Sequence, residues 1–206
     1  DSLAPPSMPN DGADAAAEVV AAENSAENVN EPVWSPNGKM LYFHRRNSAK
    51  GDTDIVRKPS NGTGSEETVL ADDATTPSGL SPDGRFLMYD RSDPKTFFDL
   101  WLLPLSVDGG KKPEPRIFLQ TPFAERRPRF SPDGKWLAFV SPFFPQNAGE
   151  VRGLFLLPAD GGEPRRMTNP RPPAFDWMPS FSPDGRLLAT AGSRLLVRDG
   201  DRWDVV

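Results

Sequence analysis

The sequence predicts an all-β fold built from repeated four-stranded antiparallel units, and three observations carry that prediction. Of the 206 residues, 24 are Pro and 17 are Gly. Both residue types oppose long helices, because proline lacks a backbone donor and glycine is entropically costly inside a helix. Second, one tetrapeptide occurs four times: Ser35-Pro36-Asn37-Gly38, Ser81-Pro82-Asp83-Gly84, Ser131-Pro132-Asp133-Gly134 and Ser182-Pro183-Asp184-Gly185, spaced by 46, 50 and 51 residues. Third, short apolar runs flank the copies. With 13 Phe, 5 Trp and 2 Tyr, the chain has the apolar surface to bury a core, so its proline content does not read as disorder.

Each element follows in order. Serine, proline, aspartate or asparagine, and glycine in succession suit a type I turn. The residues before the turn, Pro32-Val33-Trp34, Pro128-Arg129-Phe130 and Pro179-Ser180-Phe181, form a first strand. Those after it, Met40–Phe43, Phe86–Tyr89, Trp136–Val140 and Leu187–Thr190, form a second, giving hairpins. Third strands are Asp54–Arg57, Asp99–Leu103, Gly153–Leu157 and Arg194–Val197, the first three stopping at Pro59, Pro104 and Pro158, where pairing can end. Gly-rich turns follow, and then fourth strands at Glu67–Leu70, Arg116–Leu119, Arg165–Thr168 and Arg202–Val205. Four antiparallel strands in about 50 residues is the size of one blade of a β-propeller.

The whole chain, 1–206, therefore reads as one partial β-propeller. Blades are expected at 31–76, 77–126, 127–177 and 178–206. Residues 11–30 are expected to hold the outer strand of a preceding blade and a connection, since Ala16–Ala22 aligns with Glu66–Asp72. Four blades plus a leftover outer strand, ending at Val206, point to an arc of a larger propeller, and the start at Asp1 without Met points to a piece of something longer.

The bulk numbers subtract functions. A net charge of −5 gives a polyanion no global attraction, so no nucleic-acid partner is expected. No cysteine means no disulfide, no thiolate zinc site and no cysteine nucleophile. No apolar run reaches the length of a membrane span, so no direct membrane insertion is expected.

The repeat, Phe/Trp-Ser-Pro-Asp-Gly-Lys/Arg followed by Asp-Leu-Trp-Leu-Leu-Pro and Asp-Gly-Gly, resembles the TolB-type propeller repeat over roughly residues 31–192. Within it, Glu66 to Ser141 resembles more specifically the extracytoplasmic propeller of bacterial membrane-anchored serine/threonine kinases. The segments that carry this are Ser81–Tyr89, Asp99–Leu105 and Phe118–Phe123, continuing from Glu125 to Ser131. The resemblance implies a sensing or interaction module placed in the periplasm or outside the cell, with a kinase domain and membrane span that this chain lacks.

Candidates for chemistry are thin. Gly79-Leu80-Ser81-Pro82-Asp83 lacks the last glycine of a nucleophile elbow, and Ser81 belongs to the repeated turn. Gly62-Thr63-Gly64 precedes no helix, the single histidine, His44, cannot build a multi-histidine metal site, and Asp52 and Asp54 read as a strand start. No catalytic residue, metal ligand or cofactor is expected, and the chain is read as a non-enzyme.

Binding has a better case. In an up-and-down blade the first and third turns lie on one face of the disk, and the other connections lie on the opposite face. The first face receives Ser-Pro-Asp-Gly turns and essentially no aromatics. The second receives Phe97, Phe98, Phe123, Phe143, Phe144, Phe175 and Trp177, seven of the 20 aromatics, accompanied by Glu125, Arg126, Arg127, Arg171 and Asp176. Aromatic residues and arginine are enriched among interface anchors. The expected site is therefore Phe123, Arg126, Arg127, Phe143, Phe144, Phe175 and Trp177, and the expected partner a protein or peptide. The expected function is a non-catalytic sensor or scaffold outside the cytoplasm. The alternative is the accessory propeller of a prolyl-oligopeptidase-like serine hydrolase.

Overall fold

A computed structural model of the chain describes residues 29–46, 53–71, 75–105, 114–143, 151–171, 174–191 and 194–205. Of the segment 11–30, expected to hold an outer strand and a connection, residues 11–28 lie outside the described residues, as does Phe144, while Val29 and Asn30 pair with β2 as the start of β1. Those described form sixteen strands and no helix. Blade 1 comprises β1 (Val29–Trp34), β2 (Met40–Arg46), β3 (Thr53–Pro59) and β4 (Glu67–Ala71); blade 2 comprises β5 (Thr75–Leu80), β6 (Phe86–Asp93), β7 (Phe97–Pro104) and β8 (Arg116–Leu119). Blade 3 holds β9 (Arg126–Phe130), β10 (Trp136–Phe143), β11 (Val151–Pro158) and β12 (Arg165–Arg166), and blade 4 holds β13 (Ser180–Phe181), β14 (Leu187–Thr190), β15 (Arg194–Asp199) and β16 (Arg202–Val205). Each blade is one antiparallel sheet whose strands pair in chain order. The fold is a β-propeller, as the sequence predicts.

The repeated tetrapeptide closes the first hairpin of every blade with the same bonds. In blade 3 the Gly134 N–H donates to the Ser131 carbonyl at 2.9 Å, and Gly134 takes φ 70°, open to glycine without penalty. The Ser131 hydroxyl donates to Asp133 Oδ1 at 2.6 Å and accepts from the Trp136 N–H at 2.9 Å, while Asp133 Oδ1 accepts from the Lys135 N–H at 3.1 Å. The same three bonds recur in the other blades from Ser35, Ser81 and Ser182. Each polar member of the motif thus satisfies a backbone group the turn would otherwise leave unpaired.

Alternation along the strands decides how blades stack. In β10 and β11, Leu137, Phe139 and Leu157 face blade 2 and bury with Met88, Leu100 and Leu102. Their neighbours Ala138, Leu154 and Leu156 face the other way and bury with Leu188, Leu196 and Trp203 of blade 4. Tyr42 and Ile55 bury likewise against Leu87, Tyr89 and Leu103. Sheets covered on both faces need strands apolar on both faces, which explains the near-continuous apolar runs. The first strands β1, β5, β9 and β13 neighbour one another in succession and so form the inner side of the array.

Candidate functional site

The site grows from a local irregularity in β9. Its pairing with β10 slips between Ala138 and Val140, a β-bulge that leaves Arg127 at φ 59°. Regular strands send consecutive side chains to opposite faces, whereas a bulge re-aims one of them. Here Arg126 and Arg127 both reach the ring of Trp177, with guanidinium carbons 5.9 Å and 5.3 Å from its centroid. Arg152, at the start of β11, lies 5.2 Å from the same ring. Arg126 also stacks 4.0 Å over Phe98. Met178 repeats the positive φ of Arg127, at 50°, and both stand four residues before a turn serine.

Buried acids hold this cluster from behind. Asp90 is fully buried; it accepts from the Ser78 hydroxyl at 2.9 Å and contacts Arg126 Nε at 3.4 Å. Burial raises the Asp90 pKa, with Arg126 opposing. Arg129 donates to the Ser78 carbonyl, tying β9 to β5. Burial lowers the pKa of Arg127 and Arg129, and the charge of Arg127 adds to the fall at Arg129.

Glu125 and Asp176 are not surface companions of the aromatics, as their loop positions imply. They are 1% and 0% exposed. Each sits six residues before a turn serine and staples its blade to the preceding one. The Glu125 N–H donates to the Phe98 carbonyl at 2.8 Å, and the Asp176 N–H to the Arg152 carbonyl at 2.9 Å. Their carboxylates take the hydroxyls of Thr121 and Thr168. Thr168 also explains why β12 stops at Arg166, short of the predicted Thr168: its Oγ1 accepts from the Leu154 N–H at 2.9 Å, in place of a strand carbonyl.

Burial pushes the Glu125 carboxyl up to about 7, against the hydrogen bonds from Thr121 and with help from the charge of Asp99. Its folded pKa exceeds the unfolded value near 4.5, so the folded state binds this proton more tightly. The stability involved is complete below about pH 4.5, falls as pH rises toward 7 and is lost above it. Glu125→Gln, which keeps an acceptor for Thr121 without the charge, is expected to flatten the stability profile across that window by about 2 kcal/mol. Urea unfolding at pH 5 and pH 8 measures it; an unchanged slope would count against the assignment.

Of the seven residues expected from the sequence, Arg126, Arg127 and Trp177 meet in one cluster. Phe123 and Phe175 stand exposed on the same face, 40% and 54%, with Phe97 and Met178 at 63% and 51%. Phe143 ends β10, its side chain outside the described residues. Arg152 was missed. In sequence it is one more polar residue beside a strand; its role follows from β11 starting where the chain after β12 returns.

The turn face is also less bare than expected. A cleft of about 560 Å³ opens there between blades 2 and 3, lined by Phe86, Phe118, Phe130 and Ile117 together with Asp83 and Arg116. Its rings come from strand residues near the turns, which is why a survey of the turns alone does not find them. None of the seven expected residues lines it. Among the described residues no group of three or more potential metal ligands assembles, and no helix is long and apolar enough to cross a membrane.

No protein-family model and no curated protein matches the chain. Solved structures do. The chain is similar to a putative TolB from Agrobacterium tumefaciens (TM-score 0.64, 23% identity, 84% of this chain and 56% of that one). It is similar to TolB from Acinetobacter baumannii (TM-score 0.58, 19% identity, 84% and 39%). The acylaminoacyl peptidase of Pyrococcus horikoshii also matches (TM-score 0.57, 14% identity, 89% and 33%). The chain thus spans 56% and 39% of the length of the two TolB proteins. At these identities the likeness is one of fold.

Proposed function

We propose that the chain is a non-catalytic propeller module that binds a protein or peptide through the face carrying the Arg126–Arg127–Trp177 cluster. The observation that carries this reading is the exposed rim of Phe97, Phe123, Phe175 and Met178 on the face where the guanidinium groups gather. Exposed apolar side chains beside arginine and tryptophan make the mixture found at interface anchors. A place outside the cytoplasm, as a sensor or scaffold of the kinase-propeller kind, is supported by the resemblance of the repeats and by the TolB likeness of the fold.

The two faces can be set against each other. Phe123→Ser with Phe175→Ser removes rim surface, and Ile117→Ser removes surface from the turn-face cleft, where Ile117 is 47% exposed. In affinity capture from a bacterial envelope fraction, the wild type and Ile117→Ser are expected to retain the same partner. The double variant is expected to bind it at least about tenfold more weakly, with unchanged thermal stability. The reverse pattern would move the site to the turn face.

The likeness to an acylaminoacyl peptidase supports a second reading, an accessory propeller of a prolyl-oligopeptidase-like serine hydrolase. An α/β-hydrolase domain with a Gly-x-Ser-x-Gly elbow in the same polypeptide would decide for it.

A further inference from the structure

The cleft on the turn face has a filled counterpart elsewhere in the molecule. The blades meet at three junctions, and each repeats one contact: Gly84 packs against Pro36, Gly134 against Pro82 and Gly185 against Pro132. Between blades 3 and 4 the space beside this contact is occupied. Arg198 Nη1 donates to Asp133 Oδ2 at 2.7 Å. Opposite Arg198 stands Trp203, 3% exposed, which meets Phe181 edge-on with centroids 5.7 Å apart and buries with Leu156.

The junction of blades 2 and 3 keeps those surroundings and lacks both fillers. The Ala159 N–H donates to the Lys135 carbonyl at 2.9 Å, as the Arg198 N–H does to the Arg186 carbonyl at 2.8 Å, so Ala159 holds the place of Arg198. The register of β11 with β12, continued toward the turn, sets Gly162 opposite Ala159, where Trp203 stands opposite Arg198. Neither a methyl group nor a glycine reaches into the junction. At the first junction the same place holds Leu105, which packs on the cluster of Tyr42 and Leu103. The cleft of about 560 Å³ therefore lies where Arg198 and Trp203 lie one blade later. Its walls are the counterparts of their neighbours: Phe130 for Phe181, Leu102 for Leu156, Asp83 for Asp133 and Gly134 for Gly185.

Those walls narrow the occupant. Asp83 already holds Arg85, Nε to Oδ2 at 2.7 Å, so its charge is met within the blade and recognition rests on the apolar walls. Phe86, Phe118 and Ile117 extend those walls beyond what Trp203 meets. A ring brings a large apolar area and the edge-to-face contact that Phe181 makes with Trp203. The volume falls in the range of ligand sites, and Arg116 and Asp160 give the lining side chains of both signs, which suits the donors and acceptors of a peptide backbone.

We infer that the cleft between blades 2 and 3 seats an aromatic side chain of a peptide, a Trp or Phe ring entering as Trp203 does between blades 3 and 4. The site lies on the face opposite the rim and does not rest on the reading above.

The test follows the amide signals of Gly134, Ala159 and Gly161 in the isotope-labelled 206-residue chain by NMR. The probes are acetylated, amidated hexapeptides of Gly, Ser and Thr around one central Trp, Phe, Leu or Ala. The Trp or Phe peptide is expected to shift these three amides and to bind at least about tenfold more tightly than the Leu and Ala peptides. Ala159→Arg places in the cleft the side chain its counterpart carries. It is expected to weaken the aromatic peptide at least about tenfold without lowering the melting temperature. Ile117→Ser, at an exposed wall position, is expected to weaken it severalfold and covers the case in which Ala159→Arg fails to fold.

Equal affinity of the Leu and Trp peptides overturns the aromatic seat. Shifts confined to residues outside the cleft, affinity unchanged by the folded variants, or no shift at millimolar peptide overturn the site itself. N-acetyltryptophanamide binding as tightly as the Trp peptide overturns the peptide in favour of a small aromatic molecule.

Discussion

Phe139→Ala is expected to lower the unfolding free energy by about 3–5 kcal/mol, the range for emptying a large aromatic site in a packed core. Phe139 is 1% exposed and stacks on Phe155 across the β10–β11 pair, centroids 5.5 Å apart and planes 20° from parallel. It belongs to the cluster of Met88, Leu100, Leu102, Leu137 and Leu157, so its ring fills space between blades 2 and 3. Both sheets are rigid, and the surrounding strands cannot collapse far into the cavity. Phe155 is only partly buried, and Phe155→Ala should cost less. Urea denaturation followed by tryptophan fluorescence measures both; a loss below about 1 kcal/mol for Phe139→Ala would mean the blades do not pack through this cluster.

The equivalents of Phe139 show what repetition made legible and what it hid. Counted from the turn serine, they are Phe43, Tyr89 and Thr190. Three rings at one position mark an inward slot, and the punctuation around it, from the Ser-Pro-Asp-Gly turns to Pro59, Pro104 and Pro158, places the strands almost unaided. The fourth occupant differs because in blade 4 the slot serves a polar network, and the Thr190 hydroxyl donates to Asp176 at 2.9 Å.

The binding face was legible in part. Aromatic residues and arginine concentrate in its connections, and Arg126, Arg127 and Trp177 do meet. What a linear reading lacked was adjacency between elements far apart in the chain. It took Glu125 and Asp176 for exposed loop acids because loops are ordinarily solvated, whereas both serve as buried staples. One signal was available: an acid six residues before the turn serine in two repeats, which is a position in a structure, not a scattered surface charge.

Asp176→Ala tests whether that staple also shapes the site. The Thr168 hydroxyl accepts from the Leu154 N–H, so its own proton must go to Asp176 Oδ2, and the Thr190 proton goes to Oδ1. Alanine removes the carboxylate that accepts from both buried hydroxyls, for an expected loss of about 2–4 kcal/mol. Asparagine keeps one acceptor but turns a donor toward one of the two hydroxyls, so Asp176→Asn should lie between alanine and the wild type. Trp177 follows Asp176 directly, and its carbonyl accepts from the Ala191 N–H at 2.7 Å, which fixes the segment from its other side. With the side chain of Asp176 gone, the indole loses its place among Arg126, Arg127 and Arg152 although all four side chains remain. Asp176→Ala should therefore shift Trp177 emission and weaken capture of the envelope partner below the temperature at which the variant unfolds. A variant that loses stability but retains wild-type affinity while folded would confine Asp176 to joining the blades.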